Sequence, residues 1–316
     1  MEEGYARLIY VLTDLVAPLV VGYYLHRCHI VNEESMNKLI RFNVVCVYTV
    51  LSLLSFWVLP LNWQVAIVPL YGFLFILFPG ALGLFCGRRF HNLLNRGAYM
   101  SSAMLANIGT LGGVCTFILY NEEGFAYAQI IGTCQNVMLV LAVFPMAQYY
   151  YQKHTFGGAK TRRTFSFREM FLTKNQISLL GMAAGLALNA GSVARPEFLA
   201  PIFQSFVHIG AWIAMLPVGF LINFRRAKPY ILKTWDIAAF RFLAVPLFIG
   251  LTSHLLFSNP VLLGSCLVLA ATPTAINAVI TSQLYKLNVN LAIASFLLTT
   301  ILFLLVVFPI LFFILH

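Results

Sequence analysis

Charge is what this sequence has least of. Asp, Glu, Lys and Arg make up 9% of its 316 residues, and 60% are hydrophobic; an average soluble domain carries roughly 25% charged residues. A chain this poor in polar surface reads as an integral membrane protein with many spans. Acidic residues are scarcest, at 10, and Asp14 alone falls near the middle of an apolar segment. Cysteine is sparse too. Cys28, Cys46, Cys86, Cys115, Cys134 and Cys266 form no CxxC pair, so free thiols are expected rather than a disulfide framework. The chain has no Walker loop, no HExxH and no His/Cys cluster at metal-ligand spacing, so no metal or cofactor is expected. Ser205 and His208 lack an acid placed by sequence to orient the histidine, and enzyme activity is not expected. Glu2 and Glu3 stand where a cleavable signal would be positive, so the first apolar segment is expected to be retained.

What the sequence does have is apolar segments, ten of them: roughly 5–25, 39–59, 63–84, 98–120, 125–148, 176–190, 199–223, 238–257, 260–283 and 290–314. Of the 20 Lys and Arg, all but Arg7 and Arg195 fall in the loops after odd-numbered segments or, for Arg241, at the start of the eighth. Cytoplasmic loops are the basic ones, which puts both termini on the non-cytoplasmic side. The net charge of +10 is thus a topology signal, and no nucleic-acid partner is expected. On this reading Arg241 snorkels to the cytoplasmic surface.

The basic connection 149–175 divides the chain into residues 1–148 and 176–316, each with five spans. An odd number of spans per half makes the second half enter the membrane in the opposite sense, an inverted repeat. Within the connection, 164–173 has the pattern of an amphipathic interfacial segment. The fourth span of each half is interrupted. Ala106-Asn-Ile-Gly-Thr-Leu-Gly-Gly-Val114 holds Gly109, Gly112 and Gly113; Ala270-Ala-Thr-Pro-Thr-Ala-Ile-Asn277 holds Pro273. Glycine leaves helical geometry cheaply, and proline removes a backbone donor and clashes with the preceding turn. Irregular backbone at membrane depth is tolerated only where protein or a wet cavity surrounds it. Matched interruptions in inverted halves are the best sequence pointer to a transporter's binding site.

Three regions of the chain resemble the auxin efflux carrier family of membrane transporters. They are Tyr10 through Asp14, Pro18 and Gly22-Tyr23; Asn107-Ile-Gly-Thr-Leu-Gly112 with Asn121-Glu-Glu-Gly124; and Ala271-Thr-Pro-Thr274 with Leu287 to Ser295. The resemblance implies an all-α polytopic fold of ten transmembrane helices in two inverted five-helix repeats, with broken, crossing fourth and ninth helices. It also implies export of a small organic anion, a location in the plasma membrane and a homodimer. Val114 stands where the family's fourth span commonly has proline, and Asn175-Gln176 where asparagine-proline is usual.

Half-helix N-termini bind carboxylates without a basic side chain, and spans four and nine have no basic residue in the middle. The candidate substrate-binding residues are Asn107, Gly109, Thr110, Gly112, Asn136, Thr272, Pro273, Thr274 and Asn277. The bland alternative is that these polar groups only satisfy the backbone freed at each break. Gln135 and Asn136 are adjacent on a helix, about 100° apart, so one at most faces a given site; Asn136 is the chosen one. Asp14 is the candidate proton carrier, since a carboxylate in the membrane interior is expensive; His208 is read as a packed, hydrogen-bonded residue. The function expected is secondary transport of a small organic anion across the bilayer. The alternative is a receptor-like or scaffold member of the transporter fold that binds a ligand without moving it.

Overall fold

The computed structural model describes residues 2–157, 178–221 and 224–315. The segment 164–173 lies outside the described residues. Regular structure among them is helical, apart from one isolated antiparallel bridge. The helices are α1 (Glu2–Arg27), α2 (Glu34–Trp57), α3 (Trp63–Arg89), α4 (Leu93–Met104), α5 (Ile108–Thr155), α6 (Ser178–Ala190), α7 (Leu199–Leu221), α8 (Phe224–Ile231), α9 (Trp235–Leu256), α10 (Pro260–Ala270), α11 (Ile276–Leu284) and α12 (Val289–Leu315). Among the described residues, six stretches, in α2, α3, α5, α7, α9 and α12, are long and apolar enough to cross a membrane; α6 and α10 are shorter apolar helices. Helix α9 has an exposed apolar face, where Leu247, Leu251 and Leu255 form an i, i+4 stripe, each at least 65% exposed, a pattern compatible with a lipid-facing surface. Helix α5 runs on to Thr155 and so takes in the first residues expected to be loop.

Asparagine starts many of these helices. The side chains of Asn32, Asn62, Asn92, Asn259 and Asn288 each accept from a backbone N–H in the adjoining first turn, which satisfies donors that have no intrahelical partner. Helix α5 is bent sharply at Tyr120 and Asn121, the latter at φ 53°, so its first limb and its second run in different directions. Five π turns interrupt the described helices, at Asn43–Val47, Ile108–Gly112, Leu139–Val143, Phe240–Ala244 and Phe303–Val307. Each extra residue rotates the helix beyond it and frees a carbonyl, a device that re-aims side chains.

Two closely packed helix pairs stand beside a bundle of the remaining helices. In one, α1 lies along α7; in the other, α6 lies along α2. Glycine makes both contacts: a Cβ at Gly22 would lie 2.0 Å from Leu216 O and one at Gly219 2.0 Å from Leu19 O, while Gly181 and Gly185 sit nearly as tightly on Thr49 O and Leu53 O. Such backbone-to-backbone approach through small residues is how helices associate where lipid removes the hydrophobic drive. In the bundle, α3 packs on α4 and α9 on α10.

Some local features recur along the chain. Asn92 caps α4 and Asn259 caps α10. Gln64, after Trp63 at the start of α3, bonds Ser258 Oγ and the Asn259 N–H. Asp236, after Trp235 at the start of α9, accepts from Arg89 Nη2 at the end of α3, at 2.7 Å, and from Tyr99 Oη of α4, at 2.5 Å. The π turns in the second limb of α5 and in α12 both run into Val-Phe-Pro, at 143–145 and 307–309.

Candidate functional site

The helix breaks meet. Helix α4 ends at Met104 and α10 at Ala270, and beyond those ends the two chains pass each other in opposite directions. Ala106 and Thr274 form the antiparallel bridge, flanked by Asn107 N–H to Pro273 O at 2.8 Å and Ala275 N–H to Leu105 O at 2.9 Å. Two backbone segments that had left helical geometry thus satisfy one another, as buried peptide groups require. Gly112 allows the approach: a Cβ there would meet Leu269 Cδ2 at 2.7 Å and Thr272 Cγ2 at 3.0 Å.

Two side chains hold the middle of the crossing segments. Gln135 donates to Ala106 O at 2.7 Å and accepts from Ala106 N–H at 2.9 Å. Thr299 Oγ1 accepts from Thr274 N–H at 3.0 Å. Each lies four residues before its helix's π turn, ahead of the two Val-Phe-Pro sequences. Gln135 turns into the crossing, and Asn136, one residue and about 100° further round, is half-buried and makes no bond to it.

The other sequence-derived residues fall into two groups. Thr272 and Thr274 are fully buried and spend their hydroxyls on Leu269 O and Ser102 O; Pro273 contributes its carbonyl. These three hold the crossing together. Asn107 is different. Its Oδ1 caps Leu111 N–H at 3.4 Å, and its Nδ2 has no partner among the described residues. Asn277, in the first turn of α11, is half-buried with its side-chain amide likewise unpartnered. Ala275, at the N-cap of α11, provides no side-chain cap. A Cβ placed on Gly109 would meet nothing within 4 Å, and Gln129 Nε2 donates to its carbonyl at 3.3 Å. Thr110, half-buried beside it, is approached by Tyr48 from α2. Asn107 Nδ2 and the Asn277 amide thus remain as groups without a partner among the described residues, with open space at Gly109.

Arg241 does not snorkel. It sits in the π turn Phe240–Ala244, is 1% exposed, and donates to Ala103 O at 2.9 Å, Ser102 O at 3.4 Å and Thr272 O at 3.5 Å. Those carbonyls end α4 and lie just past α10. The π turn swings the long side chain inward, where free carbonyls compete successfully with the membrane surface.

No family model matches this sequence, and no curated protein is similar to it. The site therefore rests on its own geometry.

A cavity of about 980 Å³ opens beside the first limb of α5, lined by residues of α1, α5 and α7 that include Asp14, Val114, Asn121, Glu122, Phe203 and His208. Asp14 Oδ2 pairs with His208 Nδ1, and Asp14 Oδ1 accepts from Trp212 Nε1 at 3.0 Å. An acid does orient the histidine, from 194 residues away. Ser205 Oγ, however, donates to Pro201 O rather than to the ring, so no nucleophile is assembled there. At the cavity's edge Arg195 pairs with both oxygens of Glu122 and donates to Leu54 O at 3.2 Å. This pair ties α2 to the bend of α5.

Proposed function

We propose that this protein is a secondary transporter of a small organic anion. In this reading it has ten spans in two inverted five-helix halves, with the anion held where the broken fourth and ninth spans cross. The crossing carries the proposal: Asn107 Nδ2 and the Asn277 amide, without partners among the described residues, the uncapped start of α11 and the open space at Gly109 suit a carboxylate. The inverted repeat is supported by the paired asparagine caps, the Gln135 and Thr299 positions, and the pairing of α1 with α7 and α6 with α2. The basic loops put both termini on the non-cytoplasmic side, with the plasma membrane as the site of action. The resemblance to auxin efflux carriers supports export and a homodimer.

Transport in this scheme proceeds by movement of the crossing bundle against the α1–α7 and α2–α6 pairs. The cavity beside Asp14 is the route to one side, and the Asp14–His208 pair carries a proton along it. Asn107→Ala removes one donor to the anion while leaving the backbone bonds of Asn107 in place. It is expected to abolish acid flux from proteoliposomes with normal yield of folded protein. Unchanged flux would remove the crossing from the mechanism. A receptor-like protein that binds without moving its ligand is the second reading. It draws on Val114, which continues the helix with no proline, and it predicts saturable binding without flux.

A further inference from the structure

A buried arginine with no carboxylate beside it is the most unusual charge in this molecule. Arg241 is 1% exposed, pairs with no acid among the described residues, and its Nε is buried without a partner. An isolated charge in such a place is costly and needs compensation. Its compensation is backbone: Ala103 O, Ser102 O and Thr272 O. These are carbonyls at or just past helix C-termini, where no N–H of a further turn is present to bond them.

Four half-helix ends converge at the crossing. The C-termini of α4 and α10 are negative ends; the N-termini of α5 and α11 are positive ends. Each end is worth about half an elementary charge. Left alone, two negative and two positive ends cancel, and the site has no net sign. One guanidinium on the two negative ends offsets their sum of about one charge. The positive ends, next to Asn107 and Asn277, then stand unopposed.

We infer that Arg241 sets the sign of the crossing: it neutralises the facing C-termini of α4 and α10 and so makes the space beside Gly109 selective for anions without touching them. Arg241 is a positioning residue on this basis. The inference deepens the transport proposal and rests on that reading of the crossing as an anion site.

The test reads local electrostatics rather than flux. Gly109→Cys places a thiol where a Cβ has open space, in protein whose exposed Cys28 and Cys46 and partly exposed Cys86 are replaced by serine. Its rates of modification are measured with two methanethiosulfonate reagents, one bearing a sulfonate and the other a trimethylammonium group. Adding Arg241→Gln keeps a hydrogen-bond donor for the carbonyls and removes the charge. The anionic-to-cationic rate ratio is expected to fall about tenfold or more, the effect of a unit charge roughly 10 Å away at an effective dielectric of about 20–40. Arg241→Lys should keep the ratio. A purely structural role would change both rates alike. The inference is overturned if Arg241→Gln leaves the ratio unchanged, or if Arg241→Lys lowers it equally. Asn277→Cys gives a second reporter from the other half-helix, and thiols at both positions that react with neither reagent also overturn it. Flux of an organic acid through the unmodified protein tests the transport reading separately, so one can fail without the other.

Discussion

Replacing Gln135 by leucine should weaken the crossing more than any other single change on α5. Gln135 makes two bonds to one residue's backbone, at 2.7 and 2.9 Å, and that residue, Ala106, is buried. Ala106 is itself held in the bridge to Thr274, whose flanking bonds run from Asn107 and Ala275. Its own N–H and C=O therefore depend on Gln135. Interhelical hydrogen bonds in membranes are worth about 0.6–2 kcal/mol each, and a buried group left unsatisfied costs about 1–3 kcal/mol. The pair gives an expected loss of about 2–4 kcal/mol. Leucine has similar volume, so packing contributes little. Thr299→Val removes the single matching bond to Thr274 N–H and should cost about half as much. Gln135→Glu keeps an acceptor for Ala106 N–H and loses the donor, which puts it between the two. Thermal unfolding in detergent, followed by tryptophan fluorescence, ranks the variants. Stability of Gln135→Leu equal to the parent, or Thr299→Val the more damaging, would refute the reasoning.

Gly219→Ala should be severely destabilising, because its Cβ would lie 2.0 Å from Leu19 O and α1 must move off α7; overpacking of about 1–3 kcal/mol or more is expected, read as yield and Tm. Arg195→Gln leaves Glu122 largely buried without its partner and should cost about 1–3 kcal/mol. The double variant with Glu122→Gln should recover part of that loss, which a double-mutant cycle measures. Asp14→Asn removes the carboxylate from the His208 pair while keeping an acceptor for Trp212; flux should persist and cease to respond to a pH gradient. A pH response identical to the parent's would take Asp14 out of coupling.

The two breaks were legible because composition marks them: glycines at 109, 112 and 113 and Pro273 within apolar segments. Asn107 was legible for the same reason. That the breaks touch, and that Ala106 faces Thr274, was not, since no residue pattern encodes a contact across 168 positions. The bonds of Gln135 to Ala106 were not legible either: Gln135 and Asn136 are adjacent polar residues, and the π turns at 108–112 and 139–143 add residues that no 3.6-residue period foresees. Arg241 was misplaced for a related reason: a lone arginine near a span's end ordinarily reaches for water, but here a π turn aims it at free carbonyls. The repeated Val-Phe-Pro, with Gln135 and Thr299 at equal distances before it, was the available signal for both clamps. The pairing of Asp14 with His208 joins α1 to α7 and depends on the glycine contacts between those helices. Both residues stood out in the sequence; their meeting, set by that close approach, did not.

The measurement closest to the central claim is flux in proteoliposomes reconstituted with purified protein. Radiolabelled monocarboxylates, dicarboxylates and auxin-like aromatic acids are supplied with and without a pH gradient and a membrane potential. The expected result is saturable movement of at least one acid, lost in Asn107→Ala, and insensitivity of that acid's flux to an imposed pH gradient in Asp14→Asn. Saturable binding of an acid with no flux under any gradient would contradict transport, and an Asn107→Ala protein that moves acid as well as its parent would contradict the crossing as its site.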